Sequence, residues 1–292
     1  MRQAGDPVFQ GLIRSFLAGT LDEGDWATLS RRSLAALDEE ERGSFQREAV
    51  MLCSLRRNFE PHNINKIVAL ATPRFLLEAT NEPASGKRFG SNAAGGLPRH
   101  ILLTRGMRVM LTANTDLGNG LSNGSIGTVV GVIFINPTDD MPEVFVQFDG
   151  YTGRSCLPNI EGVYPIGPIT RSWMDKRVTY KRTMIPLAPA YGFSIHKSQG
   201  QTLSKVVLNL GDRDFAAGLT YTALTRSKGL SNMAFAPMPT LGRLQSVMRS
   251  ATFKTQLADD QKKLEMERVM LTRLPDLGAF LTERQQAVPA PV

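Results

Sequence analysis

The chain has 292 residues, of which 42% are hydrophobic, and it carries a formal net charge of +7. This length could hold two domains with a buried core, so an intrinsically disordered chain is excluded. Its two cysteines, Cys53 and Cys156, lie far apart, and it has only three histidines, so neither a disulfide framework nor a zinc site is predicted. No stretch approaches the ~20 apolar residues of a membrane span, so no membrane partner is expected.

The positive charge is concentrated in one segment. Residues 171–228 contain ten lysines and arginines against three aspartates, which accounts for the whole net charge; the cations are Arg171, Lys176, Arg177, Lys181, Arg182, Lys197, Lys205, Arg213, Arg226 and Lys228. A neutral body with one basic stretch is typical of a surface that binds a polyanion, although a merely solvated face would have the same composition.

Apolar residues repeat at helical spacing near the amino terminus. The first helix is predicted from Asp6 to Leu17 and ends at Gly19, because glycine commonly closes a helix. A second helix is predicted over Asp22–Leu29, and a third over residues 45–55. The first part of the chain is therefore predicted to be largely helical.

Two segments imitate the nucleotide-binding motifs of ATPases. Leu34–Glu41 is apolar and then acidic, like a strand that ends in a metal-binding acid, but its alanines and its acidic run favour a solvated helix. Gly86 and Lys87 resemble the end of a phosphate loop. That loop, GxxxxGK followed by Ser or Thr, needs glycine where the chain has Asn81 and a hydroxyl where it has Arg88. These residues are therefore predicted to encode neither the phosphate loop nor the magnesium-holding acid.

Beyond residue 108 the pattern changes to short runs rich in β-branched residues. Strands are predicted at residues 126–134, 143–148, 163–169 and 178–185, with a hairpin-like connection at 136–140. Several short strands within about seventy residues predict a small barrel. A buried parallel strand at 205–210 and a helix at 218–226 follow.

The most informative stretch is Tyr191–Thr202, where an apolar run ends in His-Lys-Ser-Gln-Gly. A cation, a hydroxyl, an amide and a flexible backbone N–H within a few residues suit phosphate oxygens or a polynucleotide backbone. Further along, Tyr221–Arg226 ends in an arginine whose permanently charged guanidinium suits a developing phosphoryl charge. On these residues alone, a solvated loop and an ordinary ion-pairing arginine remain open.

Together the two motifs indicate a family. His196–Leu203, followed by Tyr221–Arg226, closely resembles motifs V and VI of the PIF-type (petite integration frequency) DNA helicases of superfamily 1, which include the helicases of Helitron transposons. Gly106–Leu111 and Gly120–Val129 resemble the segment that leads into the family's small barrel insertion. The resemblance covers roughly residues 1–250.

The resemblance implies an α/β fold, in which a second RecA-like lobe, a parallel sheet with flanking helices, is interrupted by a small SH3-like β-barrel insertion. The expected domains are residues 1–113, the first and largely helical part of the lobe; 114–185, the barrel; 186–250, the second part of the lobe with motifs V and VI; and 251–292, a C-terminal helix and a disordered tail. The chain departs from the family at Pro189 and Gly192, where an aliphatic residue and an alanine are usual.

The resemblance also implies the C-terminal half of an ATP-dependent 5′-to-3′ DNA helicase. Arg226, the motif VI arginine finger, and Arg2, which matches the arginine of motif IV, would stabilise charge on the transferring phosphoryl group. Gln199, Gly200 and Gln201 would link the nucleotide cleft to the DNA. The residues expected to contact DNA are His196, Lys197, Ser198, Thr202, Lys176, Arg177, Lys181 and Arg182.

The complete family enzyme uses ATP and Mg²⁺. This chain alone is expected neither to bind them tightly nor to hydrolyse ATP, and no metal ligands are assigned. The expected partners are single-stranded DNA and a polypeptide that supplies the first RecA-like lobe, and the family implies a nuclear or mitochondrial location. Two alternatives stay open: a non-enzymatic single-stranded DNA-binding module and an inactive transposon-derived fragment.

Overall fold

The computed structural model describes residues 5–135, 141–214, 216, 218–250, 253–255, 258–259, 262–263 and 265–266. Within these residues the α-helices are α1 (Pro7–Ala18), α2 (Glu23–Ser30), α3 (Glu39–Glu48), α4 (Arg56–Val68), α5 (Leu219–Leu224) and α6 (Leu241–Arg249). The strands are β1 (Val50–Cys53), β2 (Arg74–Glu78), β3 (Thr80–Glu82), β4 (His100–Thr104), β5 (Arg108–Leu111), β6 (Ile126–Ile133), β7 (Glu143–Phe148), β8 (Val163–Ile166), β9 (Ile169–Asp175), β10 (Val178–Met184), β11 (Leu187–Pro189), β12 (Gly192–Ser194), β13 (Val206–Asn209) and β14 (Met233–Phe235). None of the helices in this described part has the length and apolar character that crossing a bilayer requires.

Aspartate side chains begin the first three helices. Asp6, Asp22 and Asp38 each accept a hydrogen bond from the backbone N–H three residues later, at 2.9, 2.9 and 2.8 Å. Each bond satisfies a donor that the first helical turn leaves open. Gly19, with φ of 72°, ends α1. The predicted first and second helices are therefore confirmed. Of the solvated helix predicted at Leu34–Glu41, only the part from Glu39 is helical, where α3 begins, whereas residues 34–38 are not helical.

The predicted third helix at residues 45–55 is wrong. Helix α3 ends at Glu48, and the chain then turns into strand β1, which pairs in parallel with β12 on one side and β13 on the other. The backbone bonds of β1 come from strands far along the chain. Such distant pairing overrides local periodicity and cannot be detected in one window of sequence.

The four parallel strands form one sheet in the order β12-β1-β13-β14. Strand β13 is the buried parallel strand that the sequence predicts at 205–210. Helices α1, α5 and α6 supply apolar side chains that pack against the strands in one core, which includes Phe9, Phe16, Leu52, Leu208, Leu219, Phe235 and Leu244. This layer confirms the predicted α/β fold with its parallel sheet.

Between α4 and β12 the chain forms antiparallel sheets. Their strand orders are β11-β5-β6-β7-β8, β3-β10-β9 and β2-β4. The predicted hairpin of β6 with β7 is confirmed, while its connecting residues 136–140 lie outside the described residues. The sequence does not predict β2, β3, β4 and β9, because their mixed polar and apolar residues lack a clear alternation.

The predicted domain boundaries do not coincide with the edges of these sheets. Strands β5 and β11 flank the segment 114–185, yet they pair with each other, and β5 pairs with β6. Residues 74–111 contain four strands and a short 3₁₀ helix, Ala84–Arg88, but no α-helix. One second core unites the antiparallel sheets and includes Val109, Leu111, Val129, Val146 and Leu187. The structural unit is therefore larger than the predicted insertion.

Two predictions fall partly or wholly outside the described residues. Arg2 is among them, and so is most of the segment 251–292. Phe253, which is described, is buried in the core of the parallel sheet. The predicted helix and tail beyond it stay predictions.

Candidate functional site

The motif V loop, residues 195–202, leaves the parallel sheet at the carboxyl end of β12. A short 3₁₀ turn, Ile195–Ser198, comes first, and Gly200 then adopts φ of 83°, a left-handed conformation that glycine tolerates. The exposed side chains of the loop are those of His196, Lys197, Gln199 and Thr202. Loops at this end of parallel strands are the usual ligand-binding positions of α/β sheets.

A buried asparagine on α4 holds the strand that leads into the motif V loop. The Asn63 amide donates from Nδ2 to the Gly192 carbonyl at 2.8 Å, and the Gly192 N–H donates to Asn63 Oδ1 at 2.7 Å. Because β12 is the edge strand of its sheet, these bonds satisfy backbone groups that no strand covers. Sequence reasoning did not identify Asn63, since its partner lies 129 residues away.

The close approach of α4 also accounts for Gly192 itself. A methyl group built at residue 192 would lie 3.0 Å from Cβ of Phe59 and 3.3 Å from Cβ of Met51. An alanine there would push α4 or β1 outward by a few tenths of an ångström. The departure from the family pattern at Gly192 therefore lets α4 pack tightly against β12.

Arg226 follows α5, and its side chain folds against the motif V loop. Nη1 donates to the carbonyl oxygens of Ser198 at 3.2 Å and Gln201 at 3.1 Å. Nε donates to the Thr222 carbonyl at 2.9 Å and Nη2 to Thr225 Oγ1 at 3.0 Å. Arg226 is only 8% exposed. The structure thus brings the predicted arginine finger into direct contact with Gln201, a predicted nucleotide-linked residue, and with Ser198, a predicted DNA-contacting residue.

Ser198 requires a correction, because it does not face solvent. It is fully buried, and its Oγ donates to the Ile195 carbonyl at 2.6 Å. This bond closes the 3₁₀ turn, so the hydroxyl is not placed to contact DNA in this structure. Ser198 instead supports the neighbours that are exposed, His196 and Lys197.

The motif V loop lines a groove of about 1130 Å³ together with residues 47–50 and 122–126. Gln201 joins two of these walls, because its Nε2 donates to the carbonyls of Gly124 and Lys197, both at 3.1 Å. Gly124 has φ of 103°, and a Cβ there would lie 2.8 Å from that same nitrogen. Glycine therefore permits the contact between the antiparallel region and the loop.

Both acidic side chains of the groove are paired with cations. The Arg108 guanidinium donates to both carboxylate oxygens of Asp149. The Lys205 ammonium lies 2.8 Å from a carboxylate oxygen of Glu48, and this hydrogen bond lowers the pKa of Glu48. Neither carboxylate is therefore available to repel an anion strongly.

Lys197 is the cation of the motif V loop. Among the described residues it forms no ion pair, and the same holds for Arg47, which also lines the groove. Partial burial of the Lys197 ammonium, with a smaller effect from the nearby Arg56 guanidinium, lowers its pKa. A phosphate in the groove would offset both effects, so the groove suits a polyanion.

Three of the predicted cations of the antiparallel region lie on an exposed hairpin. Lys176 and Arg177 form the tip between β9 and β10, with φ of 44° and 67°. Positive φ at both central residues is what a two-residue turn of this kind requires. Lys181 on β10 is also exposed. None of the three lines the groove, so the structure does not unite them with the motif V loop.

Arg182 requires the second correction. It is fully buried, and its guanidinium donates to Asn81 Oδ1 at 2.9 Å and to the carbonyls of Leu97, Gly86 and Phe89 at 3.2, 3.1 and 2.9 Å. Successive residues of a strand face opposite sides of a sheet, so its neighbour is exposed where Arg182 is covered. The guanidinium therefore supports the antiparallel region and is not placed to contact DNA.

Aromatic rings cover Arg182 and stiffen the same hairpin. Trp173 of β9 stacks on Tyr180 of β10 with a centroid distance of 5.7 Å, and Phe89 lies 4.9 Å from Tyr180. The Arg88 guanidinium donates to the Tyr180 hydroxyl at 3.1 Å and pairs with Asp175 at 3.4 Å. These contacts hold the hairpin from its base almost to its tip.

Two observations on the described residues bear on the binding of ATP and Mg²⁺. Within that part of the chain, no group of three or more His, Cys, Asp or Glu side chains is placed to hold a metal ion. Lys87 lies in a 3₁₀ helix, Ala84–Arg88, between two antiparallel strands, which differs from the strand-to-helix setting of a phosphate loop. The sequence argument against a phosphate loop at this position is therefore supported.

Comparison with known proteins identifies relatives. No family model matches the chain. The ATP-dependent DNA helicase PIF1 of Rattus norvegicus is 30% identical over 253 residues, which cover 84% of this chain and 35% of the relative. The Pif1 helicase of Candida albicans matches 88% of this chain and 59% of its own, with 22% identity and a TM-score of 0.66. Pif1 from Bacteroides, in complex with ADP-AlF3 and ssDNA, matches 91% and 56%, with 21% identity and a TM-score of 0.64.

The chain spans about a third of the length of the curated relatives and somewhat over half of the solved chains. At these identities the solved structures establish the shared fold, and the curated relatives establish the descent. Both agree with the motifs read from the sequence and with their contact in the structure. The chain belongs to the PIF-type helicase family of superfamily 1.

Proposed function

We propose that the chain forms the second RecA-like lobe of an ATP-dependent 5′-to-3′ DNA helicase, corresponding to its C-terminal half. In this proposal the antiparallel region includes the SH3-like barrel of the family. The observation that supports it best is the pair of bonds from Arg226 Nη1 to the carbonyls of Ser198 and Gln201. The candidate catalytic side chain therefore contacts the loop that would hold DNA.

The motif V loop would bind the DNA backbone. His196, Lys197 and Thr202 are exposed along the groove, and cations and hydroxyls at such positions donate to phosphate oxygens. Lys176, Arg177 and Lys181 give a second cationic surface on the antiparallel region. Ser198 and Arg182 are buried and do not belong to either surface.

Arg226 would act on the nucleotide. Its guanidinium would stabilise charge on the phosphoryl group during transfer to water, and such a finger raises the rate by about 10³ to 10⁵. Gln199, Gly200 and Gln201 would carry the response to the DNA-contacting side chains. Arg2 would add the motif IV contact. The phosphate loop and the groups that hold Mg²⁺ would come from a first lobe, in the same or another polypeptide.

DNA binding can be measured by titrating a fluorescent oligonucleotide of single-stranded DNA and following its anisotropy at several salt concentrations. We expect the affinity to fall as salt rises, because phosphate contacts release counterions. An affinity that does not depend on salt would remove the electrostatic basis of the proposed DNA site.

The catalytic half of the proposal needs a separate assay. With single-stranded DNA, ATP and Mg²⁺, we expect the 292 residues alone to show no more turnover than their Arg226→Ala variant. Strong turnover that Arg226→Ala abolishes would mean that these residues hold a complete nucleotide site. That outcome would contradict the assignment to one lobe.

The second candidate is a non-enzymatic module that binds single-stranded DNA. The burial of Arg226 favours it, since the guanidinium here is engaged with carbonyls rather than open to a cleft. Adding the separately produced first lobe of a Pif1 relative discriminates between the two. Turnover that depends on Arg226 supports the helicase lobe, and DNA binding without turnover supports the module. An inactive fragment would give neither.

A further inference from the structure

We propose that Arg226 is also a positioning residue for DNA binding, in that its guanidinium holds the motif V loop in the shape that presents Lys197 to DNA. This inference rests on the proposed function, because it gives the proposed finger a second task in the absence of nucleotide.

Arg226 bonds to the loop on both sides of its exposed glycine turn. Gln199 and Gly200 are exposed, and a Cβ built on Gly200 would meet no atom within 4 Å. The residues on either side, Ser198 and Gln201, are joined by a backbone bond of 3.0 Å. Both of their carbonyls also accept from Arg226 Nη1, so one nitrogen spans the turn.

The backbone of Arg226 secures the end of the same segment. The Leu203 N–H donates to the Arg226 carbonyl at 3.0 Å, and Leu203 pairs in parallel with Ser227 as an isolated bridge. Side chain and backbone of one residue therefore tie the loop at residues 198, 201 and 203. A displacement of Arg226 releases three points of the loop together.

Helix α5, which leads to Arg226, is held in place by buried polar contacts to Asp214. Thr220 of α5 donates from its hydroxyl and its N–H to Asp214, at 2.7 and 3.0 Å. Arg243 of α6 pairs with the same carboxylate at 2.6 Å, and both members of that ion pair are largely buried. The helix that carries Arg226 is thus fixed, so the adaptable partner is the loop.

Arg226 cannot keep its bonds to the motif V loop and also bind a phosphoryl group through Nη1. A guanidinium has five N–H donors, and at least four of them are used in this structure. A phosphate that recruited Nη1 would take it from Ser198 and Gln201. Nucleotide binding and support of the loop would therefore compete for one side chain, which gives the DNA contacts a direct dependence on the nucleotide.

The positioning role differs measurably from direct contact with DNA. Arg226 does not line the groove, whereas Lys197 does. Arg226→Lys keeps the charge but loses the fork that reaches two carbonyls. We expect this variant to lower the affinity for a fluorescent oligothymidine about tenfold, with the salt dependence unchanged. Lys228→Ala, an exposed cation two residues away, is the matched control and should bind as the unmodified chain does.

Hydrogen exchange measures the hold on the loop without DNA. We expect amides of residues 199–203 to exchange at least about tenfold faster in Arg226→Lys, while amides of β10 keep their rates. Equal rates at 199–203, or an equal acceleration in β10, would overturn the proposal, the second because the variant would simply be less stable. A reduced salt dependence in Arg226→Lys would also overturn it, since Arg226 would then contact phosphate directly.

The two proposals can fail separately. If the unmodified chain binds no single-stranded DNA, the proposed function fails. The exchange rates at 199–203 still decide whether Arg226 holds the loop.

Discussion

The motif V loop and the β9–β10 hairpin each present an exposed lysine and each involve one buried arginine, which is Arg226 against the loop and Arg182 within the hairpin. Arg182 donates to four acceptors inside the antiparallel region and is completely covered. Arg226 also uses four acceptors, but two of them flank an exposed glycine turn, and the residue retains 8% exposure. The same chemical group thus serves as a fixed support in one region and as an exchangeable one in the other.

The charge of a sequence segment also differs from the number of cations that the segment exposes at the surface. Residues 171–228 hold the whole net charge of the chain, yet Arg182 and Arg226 lie among carbonyl oxygens. Buried guanidinium groups keep their charge, but their N–H donors are used by backbone acceptors and are not presented to a phosphate. The cations that face solvent, such as Lys176 and Lys197, are those that a nucleic acid would meet first.

The fixed support is tested most strongly by removing it. Arg182→Ala leaves four acceptors without their donor and opens a cavity beneath Trp173, so we expect a loss of about 3 to 5 kcal/mol in the free energy of unfolding. Urea unfolding followed by fluorescence measures it. Lys181→Ala, on the opposite face of the same strand, should change stability by less than about 0.5 kcal/mol. Equal losses in both variants would show that Arg182 is not a structural support.

Asn63 is a fixed support for β12, the strand that leads into the motif V loop. Asn63→Ala removes both bonds to Gly192 and leaves a buried N–H and carbonyl unsatisfied, so we expect a loss of about 2 kcal/mol in unfolding free energy. Asn65→Ala, an exposed asparagine on the same helix, is the control. If the two variants unfold at the same urea concentration, the edge strand does not depend on this amide.

The contribution of an exposed cation to DNA binding is tested by substituting Lys197. Lys197→Ala is expected to weaken binding of single-stranded DNA about fivefold and to reduce the salt slope by about 0.7, the value for one phosphate contact on a single strand. Lys254→Ala, an exposed lysine outside the groove, should leave both quantities unchanged. A weaker complex with an unaltered salt slope would mean that Lys197 shapes the loop rather than meeting a phosphate.

The smallest effect is expected from pH. Burial, and to a lesser extent Lys66, lowers the pKa of His62 on α4 below its ordinary value of 6.5. The unfolded chain then binds more protons than the folded chain near and below pH 6.5, so stability falls as the pH is lowered through this range. Thermal unfolding between pH 7.5 and 5.5 should show a larger fall in the unmodified chain than in His62→Gln. Parallel curves would mean that His62 is protonated equally in both states.

Much of the fold and of the site could be predicted from local patterns. Asp6 and Asp22 begin helices where the capping rule places them, and the motifs around Lys197 and Arg226 meet in space as the family resemblance implies. These features depend on neighbours in sequence or on long characteristic motifs. Both kinds of signal are visible in a single chain.

The remaining errors share one physical cause, which is pairing over long sequence distances. Strand β1 was hidden because its partners are β12 and β13, and Asn63 because it binds Gly192. Arg182 could have been questioned, since it alternates with Lys181 and shares a strand face with Tyr180. The burial of Ser198 has no comparable signal, because its hydroxyl bonds only within its own turn.

Gln201 connects the antiparallel region with the motif V loop. A single amide nitrogen grips Gly124 of the antiparallel region and the Lys197 carbonyl at once. If the antiparallel region were pushed away from the parallel sheet, this amide would either let go of one carbonyl or drag residue 197 along. A force on the antiparallel region would in that way be transmitted through Gln201 to Lys197 in the motif V loop.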